Sequence, residues 1–316
     1  MKALVTGAAG FVGPYLLAEL DSAGDTPIAV DYDSGPDLLD PVGWVDLVKR
    51  EVPDVIYHLA GWSDVGQSWH HPHRTFAVNA QGTLSVLQAA ADAGVQRVLL
   101  ISSADVYGLV DSNDLPIVEN MAPRPRSPYG VSKQAAENLG QQFVQGLGLD
   151  VVIARPFNHL GPGQRPQFAA PAFAAQIAQA EQTGGGEVAH GDLSACRDLT
   201  DVRDIVRAYR LLMNAGHAGE IYNICSGHAV SMEYVLNTLI GASTVRIETR
   251  LDPERLRPVE LPMLKGSPAK LMAATRWKPR YSLGTTLSDI LAQARDEAQR
   301  PSNTPPPASS NQNGTQ

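Results

Sequence analysis

The stretch Lys2-Ala3-Leu4-Val5-Thr6-Gly7-Ala8-Ala9-Gly10-Phe11-Val12-Gly13 decides how the rest of the chain is read. Lys2 to Thr6 is a short apolar run of strand type that breaks at Gly7. Val12, Tyr15, Leu16 and Leu20 then recur at helical spacing, with Pro14 in the first turn, where its missing N–H costs little. Strand, glycine turn and helix follow one another directly. Glycine permits a tight turn and a close backbone approach, and the helix N-terminus offers free N–H groups and partial positive charge to a pyrophosphate. A second buried run, Ile28 to Val30, ends at Asp31, the place of a ribose-hydroxyl acceptor in a dinucleotide site. Candidate cofactor residues are therefore Gly7, Gly10, Phe11, Val12, Gly13 and Asp31. Asp37 and Leu38 belong either to the adenine side or to a solvated loop. A carboxylate at 31 accepts from the 2′- and 3′-hydroxyls of NAD. Opposing a 2′-phosphate at about 4 Å would cost on the order of 4 kcal/mol. No Lys or Arg follows between Asp31 and Asp40, so NAD(H) is expected over NADP(H).

Outward from this turn the pattern repeats. Residues 33–40 are short and polar, leaving room for only a brief third strand around Asp37-Leu38-Leu39, after which Trp44 to Arg50 reads as a helix. Val55 to His58, Val98 to Ser102 and Val151 to Ala154 are compact strand runs, and a long helical pattern covers Thr75 to Ala93. Ser127-Pro128-Tyr129 starts another helix, since serine caps free N–H groups and proline is preset for the first turn; it runs to about Gly146. Repeated strand-crossover-strand units pack as a doubly wound parallel sheet, a Rossmann-type α/β fold. Beyond Arg155 come Pro- and Gly-bearing loops, helices near 171–181, 202–212 and 283–298, and a strand at 221–224, which together make a smaller mixed α/β lobe. The expected division is a dinucleotide-binding domain over 1–155 and a substrate lobe over 156–300, with segments near 198–225 returning to the first domain. Residues 301–316 contain no large apolar residue and are expected to be a disordered tail.

Composition narrows the function. The 316 residues suffice for a core without disulfide or metal staples, and Lys plus Arg at 25 against Asp plus Glu at 33 gives −8. Such a balance does not attract a nucleic-acid backbone. Cys196 and Cys225 are too few for a disulfide framework, no apolar stretch reaches the roughly 18 residues of a membrane span, and the first strand leaves no room for a leader, so a cytoplasmic protein is expected. Trp69-His70-His71-Pro72-His73 invites a metal reading, but Pro72 interrupts regular ligand spacing, and a solvated loop with no metal site is expected there.

Tyr129 and Lys133 stand four apart on the helix that Ser127 begins, hence on one face. An ammonium beside a phenol stabilises the phenolate and lowers its pKa toward the working range. Ser103 follows the strand ending at Ser102 and is placed to hydrogen-bond the same substrate oxygen.

With these pieces in hand the chain resembles the extended short-chain dehydrogenase/reductase family, in its nucleotide-sugar epimerase/dehydratase branch. The resemblance rests on TGAAGFVG at 6–13, HLAG at 58–61, Asn79 with Gly82-Thr83, SSADVYG at 102–108, SPYGVSK at 127–133, ARPFNH at 154–159, RDLTDVRDI at 197–205 and RPVE at 257–260. It implies an NAD(P)-binding lobe whose contacts include Leu59, Ala60, Tyr129, Lys133 and His159. It further implies a nucleotide-sugar lobe, a Ser103-Tyr129-Lys133 hydride-transfer triad, and a homodimer formed through the helices near 78–93 and 129–146. Within the branch, FNHLGPGQ at 157–164 and RDLTDVRD at 197–204 are similar to the GDP-4-keto-6-deoxy-mannose reductases, with GDP-mannose 4,6-dehydratases as close relatives. That similarity implies a GDP-sugar substrate, with Asn158, Arg197 and Arg257 on the sugar diphosphate and Glu260 on a ribose. Two guanidinium forks suit a diphosphate.

The reaction is narrowed by Ala104-Asp105. A 4,6-dehydratase must oxidise C4, remove a proton at C5 and expel the C6 hydroxyl, which needs an acid and a base beyond the tyrosine. The glucose dehydratases that the branch resembles carry an adjacent acidic pair here, and only Asp105 is acidic in this chain. Reduction needs hydride and one proton from Tyr129. The expected activity is reduction of the C4 ketone of GDP-4-keto-6-deoxy-mannose to GDP-rhamnose. The alternatives are a GDP-mannose 4,6-dehydratase using Asp105, a C4-epimerase, or a non-catalytic dinucleotide-binding sensor.

Overall fold

The apolar runs of the first half become β1 (Lys2–Thr6), β2 (Thr26–Val30), β3 (Val55–His58), β4 (Arg97–Ile101) and β5 (Val151–Pro156) of one sheet. The structure, a computed structural model, describes residues 1–256 and 262–300. Between the strands lie α1 (Gly13–Ser22), α2 (Pro41–Glu51), α3 (Val65–His70), α4 (Pro72–Phe76), α5 (Gly82–Asp92) and α6 (Pro128–Leu147). A later strand, β9 (Ile221–Ile224), completes the order β2-β1-β3-β4-β5-β9, every pair parallel. The doubly wound α/β reading is therefore observed. The strand order reverses between β1 and β3, and in such sheets the crevice at that switch point, beyond the carboxyl ends of the strands, takes the ligand.

Both faces of the sheet are buried, and the period of two divides the strand residues between them. Ala3, Val5, Tyr57, Leu99, Val152 and Ala154 pack with α1 and with α8 (Val202–Ala215). Leu4, Ile56, Val98, Leu100, Val151 and Ile153 pack with α2, α5 and α6. A separate apolar cluster joins α7 (Ala169–Thr183), α9 (Met232–Gly241) and α11 (Leu283–Gln299). The edge of this lobe toward the sheet is built on β6 (Asn158–Leu160) and β8 (Cys196–Asp201), paired in parallel so that Asn158 faces Leu199. The first half of β8 runs between β10 (Ala229–Ser231) and β12 (Met263–Leu264).

Three local expectations are corrected. No strand forms around Asp37-Leu38-Leu39. The Asp37 carboxylate accepts from Leu39 N at 2.8 Å and its carbonyl from the Trp44 indole at 3.1 Å, so the segment is a polar turn leading into α2. The helix expected over Thr75 to Ala93 is interrupted: α4 ends at Phe76, a π-helical turn spans Ala77–Gln81, and α5 begins at Gly82. The loop expected at Trp69 to His73 is instead the junction of α3 and α4, because Pro72 cannot continue one helix but can begin the next. The tail at 301–316 lies outside the described residues.

Candidate functional site

Backbone sterics fix the glycine turn. Gly7 has φ +70°, and a Cβ there would lie 2.8 Å from Ala60 N, so the turn after β1 touches the chain leaving β3. A Cβ on Gly13 would lie 2.2 Å from Ala8 O, so α1 seats directly on the turn. Ala8 N donates to Val30 O at 3.2 Å, tying the turn to the end of β2. Asp31 follows at once. Its carboxylate accepts from Ala9 N and from Tyr32 N, each at 2.7 Å, so two amides orient it and leave further lone pairs for ribose hydroxyls. Asp31, Asp33 and Asp37 all line the same groove. These features fit a dinucleotide: a backbone cradle too tight for side chains beside an oriented acceptor.

A buried polar array supports the floor. His58 bridges Thr6 Oγ1 at 2.9 Å and Thr83 Oγ1 at 3.1 Å, and Thr6 Oγ1 accepts from Ala60 N at 3.0 Å. Burial, aided by the Lys133 charge, pushes the His58 imidazole down to about 3, so it stays neutral. Asn79, in the π-helical turn, accepts from Trp62 N at 2.7 Å and donates to Trp62 O at 3.0 Å and to Ser132 Oγ at 2.8 Å. Neither residue was singled out for a role from sequence, although both fall inside the quoted motifs.

Opposite the glycine turn, α6 begins with Ser127 accepting from Gly130 N at 3.0 Å, and its first two turns carry Tyr129 and Lys133. Both are buried. Ser103, just past β4, donates to Asp105 Oδ2 at 2.9 Å and accepts from Asp105 N at 3.1 Å. Burial and the Asp105 carboxylate push the Tyr129 phenol up, and a hydrogen bond with Ser103 pulls it down. The expectation of a phenol lowered toward the working range is corrected: in the free chain desolvation dominates and the phenol is pushed up, while the Lys133 ammonium donates to Ile101 O at 2.9 Å. A phenol held protonated at neutral pH is the form that can donate. Burial pushes Lys133 down to about 8, while the Glu137 charge holds it up.

One cleft of about 1120 Å³ unites the two sides. Gly7, Gly10, Phe11, Val12, Asp31, Asp37, Leu38, Leu59 and Ala60 line it together with Ser103, Asp105, Tyr129, Lys133, Asn158 and His159. Phe11 and His159 stack at 6.0 Å and 5°, so the turn reaches across to β6. Gly13 lies beneath the lining, where it packs the helix. Arg197 lies on β8, donates to Cys196 O at 2.9 Å, and is not part of the described cleft lining. Arg257 and Glu260 fall outside the described residues. Trp62, Arg74 and Arg165 also line the cleft, with Arg74 stacked over the Trp62 ring at 5.6 Å; nothing in a local motif pointed to this pair. Among the described residues no group of three or more His, Cys, Asp or Glu could hold a metal ion, and no helix is long and apolar enough to cross a membrane.

Known proteins share this fold. The NAD dependent epimerase/dehydratase family matches residues 3–225. The GDP-6-deoxy-D-mannose reductase of Pseudomonas aeruginosa is 41% identical over 303 residues, covering 94% of this chain and 99% of the relative. The GDP-6-deoxy-D-talose 4-dehydrogenase of Aggregatibacter actinomycetemcomitans is 29% identical, with 86% and 90% covered. Among solved structures, RMD from Pseudomonas aeruginosa complexed with NADPH superposes with a TM-score of 0.86 at 38% identity, covering 94% of this chain and 100% of that one. The Thermus thermophilus UDP-glucose 4-epimerase complex with NAD gives 0.84 at 28%, with 93% and 99% covered. The likeness runs along nearly the whole chain, and the chain belongs to the NAD dependent epimerase/dehydratase family.

Proposed function

We propose that the chain reduces the C4 ketone of GDP-4-keto-6-deoxy-mannose with a nicotinamide dinucleotide, giving GDP-rhamnose. The observation that carries this reading is the placement of Tyr129, hydrogen-bonded to Ser103, in the same cleft as the glycine turn, with one acid, Asp105, beside them. The 41% identity to a GDP-6-deoxy-D-mannose reductase supports the substrate. When bound, the reduced nicotinamide supplies hydride to C4. Tyr129 donates the proton to the C4 oxygen, Ser103 orients that oxygen, and the Lys133 ammonium stabilises the phenolate left behind. Asn158 and His159, at the lobe edge, are proposed to face substrate and cofactor, and Arg197, Arg257 and Glu260 to hold the nucleotide diphosphate.

NADH is the proposed donor over NADPH. Asp31, Asp33 and Asp37 share one end of the groove, and no Lys or Arg lies between 31 and 38 to receive a 2′-phosphate. The relative solved with NADPH makes the choice testable. A homodimer is proposed through α5 and α6, supported by the exposure of Trp69, Phe76 and Val131 on that side.

Following nicotinamide absorbance with the ketosugar tests the reading: NADH should be oxidised in proportion to ketone consumed. A chain that instead converts GDP-mannose to the ketosugar, with no reduction of it, is a dehydratase.

A further inference from the structure

Three side chains of α6, each one turn apart, grip the end of β4. Tyr129 hydrogen-bonds Ser103, Lys133 Nζ donates to Ile101 O at 2.9 Å, and the Glu137 carboxylate accepts from the Ser102 hydroxyl at 2.5 Å. The proposed reaction uses the first two and leaves the third unexplained. Glu137 is 4% exposed, and Arg155 of β5, 2% exposed, closes on it with Nε at 2.8 Å and Nη2 at 2.6 Å. A buried ion pair is an expensive means of fixing a helix to a strand, because apolar residues of like volume often do as well or better. A charge one turn from an ammonium has an effect that no apolar residue can supply.

The surroundings of Lys133 single out that effect. His58 of β3 faces it and stays neutral. Asp105, after β4, acts on Tyr129, and Tyr209 of α8 is a buried phenol whose interaction is also with Tyr129. Arg155 stands behind Glu137 and partly offsets its charge. Among the described residues Glu137 is thus the anion that acts on the ammonium, against burial.

We infer that Glu137 is a positioning residue for the reduction: its charge holds Lys133 in the ammonium form, its Ser102 contact keeps Ser103 in line with Tyr129, and Arg155 sets the strength of that charge. This rests on the role of Tyr129 and Lys133 given above.

The test is the pH profile of kcat/KM for NADH-dependent ketosugar reduction by the full chain, for wild type, Glu137→Gln and Arg155→Met. In Glu137→Gln the basic limb should move about one pH unit toward acid, so that about tenfold of activity is lost above the limb and much less at pH 6. Arg155→Met, which leaves the carboxylate uncompensated, should move the limb toward base, and the double variant should fall between. Loss of activity equal at every pH, with the limb in place, assigns Glu137 a purely structural role and overturns the inference, as does movement of both single variants in one direction. If Glu137→Gln does not fold, Arg155→Met decides: a basic shift supports the inference, and a fixed limb or acid shift refutes it. Wild-type turnover with unmoved limbs refutes this inference alone, whereas absence of wild-type turnover refutes the proposed reaction and this inference with it.

Discussion

In the proposed reaction Tyr129, Lys133 and Asp31 carry most of the chemistry. Removing the Tyr129 hydroxyl deletes the proton donor and little of the cofactor groove, so Tyr129→Phe should lower kcat by about 10²–10⁴-fold with dinucleotide Kd nearly unchanged in a fluorescence titration. Unaltered turnover would remove Tyr129 from the reaction. Lys133, held down to about 8 by burial, loses its proton as pH rises through that value. Because the ammonium is the form that stabilises the phenolate, kcat should fall above pH 8 and not below it. A profile rising through pH 9 would contradict this sign. Asp31 is only half-buried, which screens its repulsion of a 2′-phosphate. Asp31→Asn should therefore shift the NADH-to-NADPH ratio of kcat/KM by about ten- to a hundredfold toward NADPH, measured with the ketosugar. An unchanged ratio would place the selectivity elsewhere.

The elements were legible in the sequence to different degrees. β1, the glycine turn and α1 could be read outright, because periodicity changes from two to 3.6 across glycines whose geometry the structure then requires. Gly13→Ala tests that requirement. Its Cβ would lie 2.2 Å from Ala8 O, so α1 must lift from the turn. Stability should fall by about 1–3 kcal/mol in denaturant unfolding, and dinucleotide affinity should fall with it. Wild-type values for both would show that the close seat is dispensable. What the sequence concealed has physical reasons. The π-helical turn at Ala77–Gln81 changes only a hydrogen-bond register inside an otherwise helical pattern, so apolar spacing does not mark it. Asp37-Leu38-Leu39 resembled a brief strand because a short polar-apolar run is the same for a strand and for a turn closed by its own aspartate. Arg155 and Glu137 are 18 residues apart and meet only through the tertiary fold. The pairing of Arg74 with Trp62 is likewise tertiary.

At the scale of the whole molecule, five of the six parallel strands, β1 to β5, bring their carboxyl ends to one cleft, and β6 lines it from the second lobe. Large apolar side chains are exposed beside the start of α6. Trp69 at 52%, Phe76 at 43% and Val131 at 45% exposure border a groove of about 380 Å³. A second copy is the proposed cover, so Phe76→Asp should convert a dimer into a monomer by light scattering after size exclusion. A wild-type monomer would remove that proposal and leave the cleft untouched. The most direct measurement of the account combines stoichiometry with product structure. Enzyme, NADH and GDP-4-keto-6-deoxy-mannose are mixed, the absorbance is followed, and the C4 centre of the product is read by NMR. One NADH should disappear for each GDP-rhamnose formed. No oxidation of NADH or NADPH, or a C4 carbonyl persisting in the product, would contradict it.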